Sequence, residues 1–221
     1  MVTGRVFILE SPNPLDLLEN RGERLALEQV CKLVGYDAWT FLLRDAQELK
    51  QTFSYISSIK GDKNDKTPLF IHVSVHGNDS GIGVGSDGIT WGNLVETVQQ
   101  MYTHLQYYLG PIILILSACG ANKQKLTAGL TKGDNPAHKP FIPPEYVFVF
   151  SNDTVLWPDA VVTWTIFYSE ASKLDFTDKT VVQKLLNRLH KSGFGNLKYY
   201  RWDTRSKKYK HFEPAARTAS R

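Results

Sequence analysis

The chain has 221 residues, 42% of them hydrophobic and 12% aromatic, with a formal net charge of +4. That size and composition describe one globular domain with a core of its own, and so small a charge does not by itself call for nucleic acid or a membrane as partner. The two cysteines, Cys31 and Cys119, exclude a disulfide scaffold and fit a reducing compartment.

The opening residues, MVTGRVFILES, carry no basic leader ahead of a long apolar segment, and no later run reaches the length of a membrane span. A cytoplasmic protein without membrane contact is expected. Arg5–Leu9 reads as a first strand, which SPNPLD breaks because its prolines and Asn13 favour loop geometry. A helix over 21–34 places Leu27, Val30, Cys31 and Val34 on one face and ends at Gly35. Cys31 on that stripe is a buried, inert thiol. Tyr36–Leu43 is the second strand. Asp45 and Glu48 have the spacing of a capping box, ahead of Leu49, Phe53 and Ile56 at helical spacing.

The third strand, PLFIHVSV, runs into His76-Gly77. His72 lies four residues earlier on the same face, inside the strand, and reads as a packed histidine. The glycine-rich stretch 78–93 invites a phosphate-loop reading. It neither follows the first strand nor leads directly into a helix, so a hairpin turning at Asp87-Gly88 explains it better. Thr90 caps the next helix, with Leu94, Val95, Val98, Met101, Tyr102 and Leu105 as its stripe.

Pro111–Leu116 is a near-continuous apolar run, suited to a strand buried on both faces, and it ends in Ser117-Ala118-Cys119-Gly120. A right-handed strand–helix–strand crossover makes this strand parallel to the third. Their carboxyl ends then share one edge, where open α/β sheets bind ligands. His76 and Cys119 therefore meet on one rim as a base and a nucleophile.

The segment 120–145 shows little periodicity and reads as a long loop, made basic by Lys123, Lys125, Lys132 and Lys139. Tyr146–Phe150 is a fifth strand, and Pro158 opens a helix with Ala160, Val161, Trp164, Phe167, Tyr168 and Ala171 inward. Thr177 is expected to cap a further helix whose stripe runs from Val181 to Leu189. Residues 196–213 form an edge hairpin turning near Thr204–Lys207, and 214–221 a flexible tail. The hairpin carries six Lys/Arg against one acid between Lys198 and Lys210, interleaved with Tyr199, Tyr200, Trp202 and Tyr209. Such interleaving can bind single-stranded nucleic acid, but lysines also protect an edge strand, and the edge reading is favoured.

The order of these motifs resembles the CHAT peptidases, of the caspase-like cysteine proteases that include separases, gingipains and metacaspases. A strand ends in His-Gly, DGITW leads a helix, and a strand ends in Ser-Ala-Cys. YVFVFSNDTVLWP, with Phe167-Tyr168 beyond it, is similar to that family's later block. The resemblance covers roughly 68–190. It implies a caspase-like three-layer α/β sandwich over 1–213, with a mostly parallel sheet of about six strands and helices on both faces. It implies a cysteine endopeptidase with Cys119 as nucleophile and His76 as general acid and base, and with the backbone N–H groups of Gly77 and Cys119 as oxyanion donors. The segment 120–145 would then border the active site and be open to processing.

The chain carries no repeat or sensor segment of the kind CHAT domains often have, so an activating protein partner is expected, in prokaryotic defence or regulated cell death. Specificity is expected after the fifth strand. Asp153 and Asp159 can offer negative charge to a Lys or Arg, or Leu156 and Trp157 can wall an apolar pocket, and the sequence does not choose. The acid directly after Trp157-Pro158 departs from the spacing usual in the family.

No metal or cofactor is expected, since CxxC, HExxH, Asp-rich and GxxxxGK[ST] patterns are missing, and a serine triad lacks its GxSxG. Two rivals stand beside the peptidase. One is an inactive caspase-like binding module. The other is a nucleic-acid-binding α/β domain using the glycine loop and the basic hairpin.

Overall fold

The computed structural model describes residues 3–59, 66–105, 108–121, 126–131, 143–194 and 196–215. Apolar runs in the sequence become the strands of one sheet. These are β1 (Gly4–Ser11), β2 (Tyr36–Leu42), β3 (Leu69–Gly77), β6 (Ile112–Ser117), β7 (Tyr146–Phe150), β8 (Leu197–Asp203) and β9 (Lys208–Phe212), in the order β2-β1-β3-β6-β7-β8-β9. The first five in that order pair in parallel, and β8 and β9 continue antiparallel. A hairpin of β4 (Gly81–Val84) and β5 (Asp87–Thr90) extends from the end of β3. The main path thus has seven strands rather than six, because both arms of the 196–213 hairpin join the sheet.

Side-chain alternation splits the core in two. Phe7, Leu9, Ile71, Val73, Leu114 and Val149 pack under α3 (Ala46–Ser57), α4 (Trp91–His104) and α5 (Leu126–Thr131). Val6, Ile8, Phe70, Ile115 and Phe148 pack under α2 (Arg24–Leu33), α6 (Trp157–Ala171) and α7 (Val181–Lys191). Helices on both faces of a largely parallel sheet make a three-layer α/β sandwich. The chain leaves β1 outward to β2 and returns across it to β3, so the winding reverses between β1 and β3. The carboxyl ends on either side of such a reversal form the crevice of an open α/β sheet. Among the described residues no helix is long and apolar enough to cross a membrane.

Several local expectations change. SPNPLD is not a plain loop: Pro14–Leu18 forms a short helix, α1, started by Asn13, whose side chain accepts from the Asp16 N–H while the Asp16 side chain accepts from the Asn13 N–H. At α3, Asp45 caps as expected, but Glu48 turns to Arg44 instead of closing the box. The β4–β5 turn falls at Gly85-Ser86, two residues before the expected Asp87-Gly88. Gly85 has φ +58°, and a Cβ there would run into the Arg44 carbonyl.

Thr177 does not cap α7. Its hydroxyl bonds Asp175, and Thr180 stands at the helix start without a side-chain cap. Of the expected loop 120–145, residues 122–125 and 132–142 lie outside the described residues, and so do Lys123, Lys125, Lys132 and Lys139. Inside it, Leu126–Thr131 is helical, with Leu126 and Leu130 buried. Of the expected tail, 216–221 lies outside the described residues, and Ala215 N–H donates to Asn187 Oδ1 on α7.

Candidate active site

Four parallel strands deliver one side chain each to a single cavity of about 350 Å³ at their carboxyl ends. Asp16 follows β1, His76 ends β3, Cys119 follows β6 and Trp157 follows β7. All four line it, together with Asn13, Arg21, Glu23, Ser117, Val155 and Leu156. His76 and Cys119 thus line one cavity at the same rim of the sheet.

The backbone around the pair needs glycine. A Cβ on Gly77 would collide with the Cys119 carbonyl and press the Ala118 side chain at 3.2 Å. Gly120 has φ +75°, and a Cβ there would sit 2.6 Å from the Asn78 carbonyl oxygen. The His-Gly-Asn and Ala-Cys-Gly turns are therefore interlocked. The first is fixed further by the Trp91 indole donating to the Asn78 carbonyl at 2.9 Å, and by Asn78 Oδ1 accepting from Ser80 and Gly81 N–H. The β4–β5 hairpin pairs with the end of β3 at His76 and Gly77 and is tied down to β1 and α3: Gly85 N–H donates to Ser11 Oγ at 2.7 Å, and Ala46 N–H to Asp87 Oδ2 at 3.0 Å. The glycine-rich stretch is thus structural support for His76.

His76 Nε2 lies 2.5 Å from Asp16 Oδ2 and 3.3 Å from Asn13 Nδ2. A carboxylate only accepts, so the bond to Asp16 puts the hydrogen on Nε2. Asn13 Nδ2, itself a donor, then lies beside that bond without joining it, and Nδ1 has no partner among the described residues and is the proton acceptor of the neutral ring. Trp157 meets the imidazole edge to face at 5.5 Å, which sets the ring plane. Cys119 is half-buried. Its Sγ accepts from Val155 N–H at 3.4 Å and lies 3.7 Å from the Val155 carbonyl oxygen. Gly120 N–H donates to the Asp153 carbonyl at 3.1 Å, so the loop between β7 and α6 grips the cysteine turn from both sides. Cys31 is the opposite case: it is fully buried, and burial pushes its thiol up to about 12.

A buried polar chain runs from the cavity wall at Glu23 and Ser117 into the core. Glu23 takes the Ser117 hydroxyl at 2.6 Å on one oxygen and His72 Nε2 at 2.9 Å on the other. His72 Nδ1 meets the Tyr168 hydroxyl at 3.0 Å, and the Trp164 indole donates to Ser117 Oγ at 2.9 Å. Burial raises the Glu10 carboxyl, although it accepts from the N–H groups of Glu23 and Arg24 at the start of α2.

The proposed specificity residues separate. Trp157 lines the cavity. Asp159 lines a neighbouring one with Phe150, Thr163 and Phe194, and exposed Asp153 enters neither lining. Sequence reading missed Asp16, although the Asn13-x-x-Asp16 box with Pro14 between was a visible helix-start signal. In the basic hairpin the rings are committed to one another and to the core. Tyr199 stacks on Phe212 at 4.8 Å, Trp202 meets Tyr209 at 5.3 Å, and the Tyr209 hydroxyl donates to the Pro144 carbonyl.

No protein-family model matches the chain, and no curated protein matches it in sequence. Among solved structures, caspase-1 from Spodoptera frugiperda superposes with a TM-score of 0.53 at 15% identity, over 84% of this chain and 74% of its own. The fold is caspase-like. At that identity the likeness concerns the architecture, and the chemistry of the site rests on the residues described above.

Proposed function

We propose that this chain is a caspase-like cysteine endopeptidase of the CHAT type, working in the cytoplasm on a protein substrate. The observation that carries the reading is one cavity at the switch point of the sheet, lined by a half-exposed histidine whose Nε2 is held by Asp16 and by a half-buried thiol just after the adjacent strand. In the reaction the Cys119 thiol passes its proton to His76 Nδ1, the thiolate attacks the scissile carbonyl carbon, and the C–N bond breaks as His76 gives that proton to the leaving amine. Water then attacks the thioester, His76 takes its proton, and the carboxylic product leaves with Cys119 restored. The N–H groups of Gly77 and Cys119 are the proposed oxyanion donors, and losing one such donor typically costs about 10²–10³ in rate.

Trp157 is proposed to wall the pocket for the residue preceding the scissile bond, with Asp153 and Asp159 at its approaches. Activation by a partner protein has a mechanical basis: Cys119 Sγ rests against the Val155 backbone, so a partner that shifts the loop 151–156 releases the sulfur. By the family resemblance, the setting is prokaryotic defence or regulated cell death.

Sequencing the new protein N-termini that form in an extract of the host cells tests the reading. Termini that appear with the wild-type chain and vanish with Cys119→Ala support it. Identical termini for both sink it.

A further inference from the structure

We infer that Asp16 is the positioning residue of this site, a third member that holds His76 in the tautomer and orientation the chemistry needs. The inference rests on the peptidase reading above. The carboxylate is almost wholly buried although it lines the cavity, so it is held in place by what surrounds it. Its Oδ2 accepts from the Asn13 backbone N–H at 3.2 Å, and Asp16 N–H donates to Asn13 Oδ1 at 2.9 Å. The backbone fixes the acid before any ligand arrives. The same Oδ2 takes His76 Nε2 at 2.5 Å.

Helix α1 is too short to be stable alone. It is anchored by the capping box and by Arg21 N–H donating to the Asp16 carbonyl at 2.7 Å. The end of β1 is thereby turned so that one carboxylate faces the end of β3, the next strand in the sheet. An imidazole bound on Nε2 by a fixed acceptor cannot flip, and its Nδ1 stays available to carry the thiol proton to the leaving amine and to take one from water. A histidine oriented by an acid in this way is a general arrangement of nucleophile-base sites. Here the acid comes from the strand on the other side of the base, not from the strand of the nucleophile.

The test compares wild type with Asp16→Asn and Asp16→Ala in peptide hydrolysis, thermal unfolding and NMR of the imidazole N–H protons. Asn at position 16 can still accept from the Asn13 N–H, which keeps the start of α1. The expected result for Asp16→Asn is a fall in kcat of about 10–10²-fold with KM within about twofold, and an unchanged unfolding midpoint. The wild type should also show a hydrogen-bonded Nε2–H on His76 that weakens in Asp16→Asn, where a neutral amide oxygen takes the place of the carboxylate, and disappears in Asp16→Ala. The buried His72 N–H against Glu23 persists in all three and serves as the internal reference.

Asp16→Asn that turns over like an active wild type overturns the inference and leaves the peptidase standing. So does a kcat loss matched by a lowered unfolding midpoint and repaired simply by cooling, because the acid would then be structural. A wild type with no Cys119-dependent hydrolysis, even in host-cell extract, overturns the peptidase reading and this inference with it.

Discussion

Strand β3 carries two histidines four residues apart on one face, and each meets a carboxylate at hydrogen-bond distance. His72 with Glu23 is sealed: the side chains are 0% and 1% exposed, and Tyr168, Ser117 and Trp164 complete the remaining bonds. His76 with Asp16 is open on one side: the imidazole is 47% exposed and the acid 5%. The same pair of functional groups is therefore scaffold in one place and, on the proposed function, site in the other. What separates them is saturation. A histidine with both nitrogens engaged inside the core has no atom for a substrate, whereas one held on Nε2 at the rim keeps Nδ1 for a proton.

That contrast breaks most visibly at His72. Replacing it with Leu leaves Glu23 buried without its partner and should cost about 3–5 kcal/mol. His76→Ala, at an accessible pair, should stay within about 1 kcal/mol. Urea unfolding of the two variants reads both numbers, and equal losses would erase the distinction between scaffold and site. Next in size is Ser117→Ala, which strands the Trp164 indole N–H and one Glu23 oxygen. About 1–3 kcal/mol is expected from the same unfolding curve.

Gly77→Ala tests the rim itself. A methyl pressed against the Cys119 carbonyl should cost about 1–3 kcal/mol and remove most hydrolysis, because the two strand ends must part. A stable, fully active alanine variant would show that the ends are not interlocked.

The smallest effect is the pH dependence supplied by Glu10. Its carboxyl is raised by burial above the ordinary 4.5, so the folded state holds this proton more tightly than the unfolded chain. The stability it contributes is therefore greatest at acid pH and is lost as the pH rises through the raised folded value. Relative to Glu10→Gln, the wild type should lose stability from pH 4.5 upward, and a constant gap between their urea midpoints would contradict this.

How much of this was legible in the sequence follows from the range of the interactions. The parallel strands announce themselves as short β-branched runs, and α4 and α6 as long apolar stripes, because burial of those side chains is a local pattern. Thr90 and Pro158 mark helix starts by their own chemistry. His72 reads as packed because it sits inside the strand. The six residues of α5 are too few to show a period, and two prolines around Asn13 look like a broken chain until the reciprocal box with Asp16 is noticed. The link from Asp16 to His76 spans 60 residues, and that from Glu23 to Ser117 spans 94. No local pattern encodes those contacts; the sheet order creates them. The acids near Trp157 drew the specificity reading because of their charge alone, and only the backbone course separates Asp159 from the cavity that Trp157 lines.

The two cysteines supply the most direct test of the central claim. Cys31 is buried with its thiol pushed up to about 12, so it is a built-in unreactive control for Cys119. Wild type, Cys31→Ala, Cys119→Ala and His76→Ala are treated with peptidyl chloromethyl ketones ending in Arg, Lys, Leu or Asp, with and without host-cell extract, and adducts are located by mass spectrometry. The account predicts a single adduct on Cys119, unchanged without Cys31 and slowed at least about tenfold without His76. A Cys119 that reacts no faster than Cys31 under either condition would contradict it.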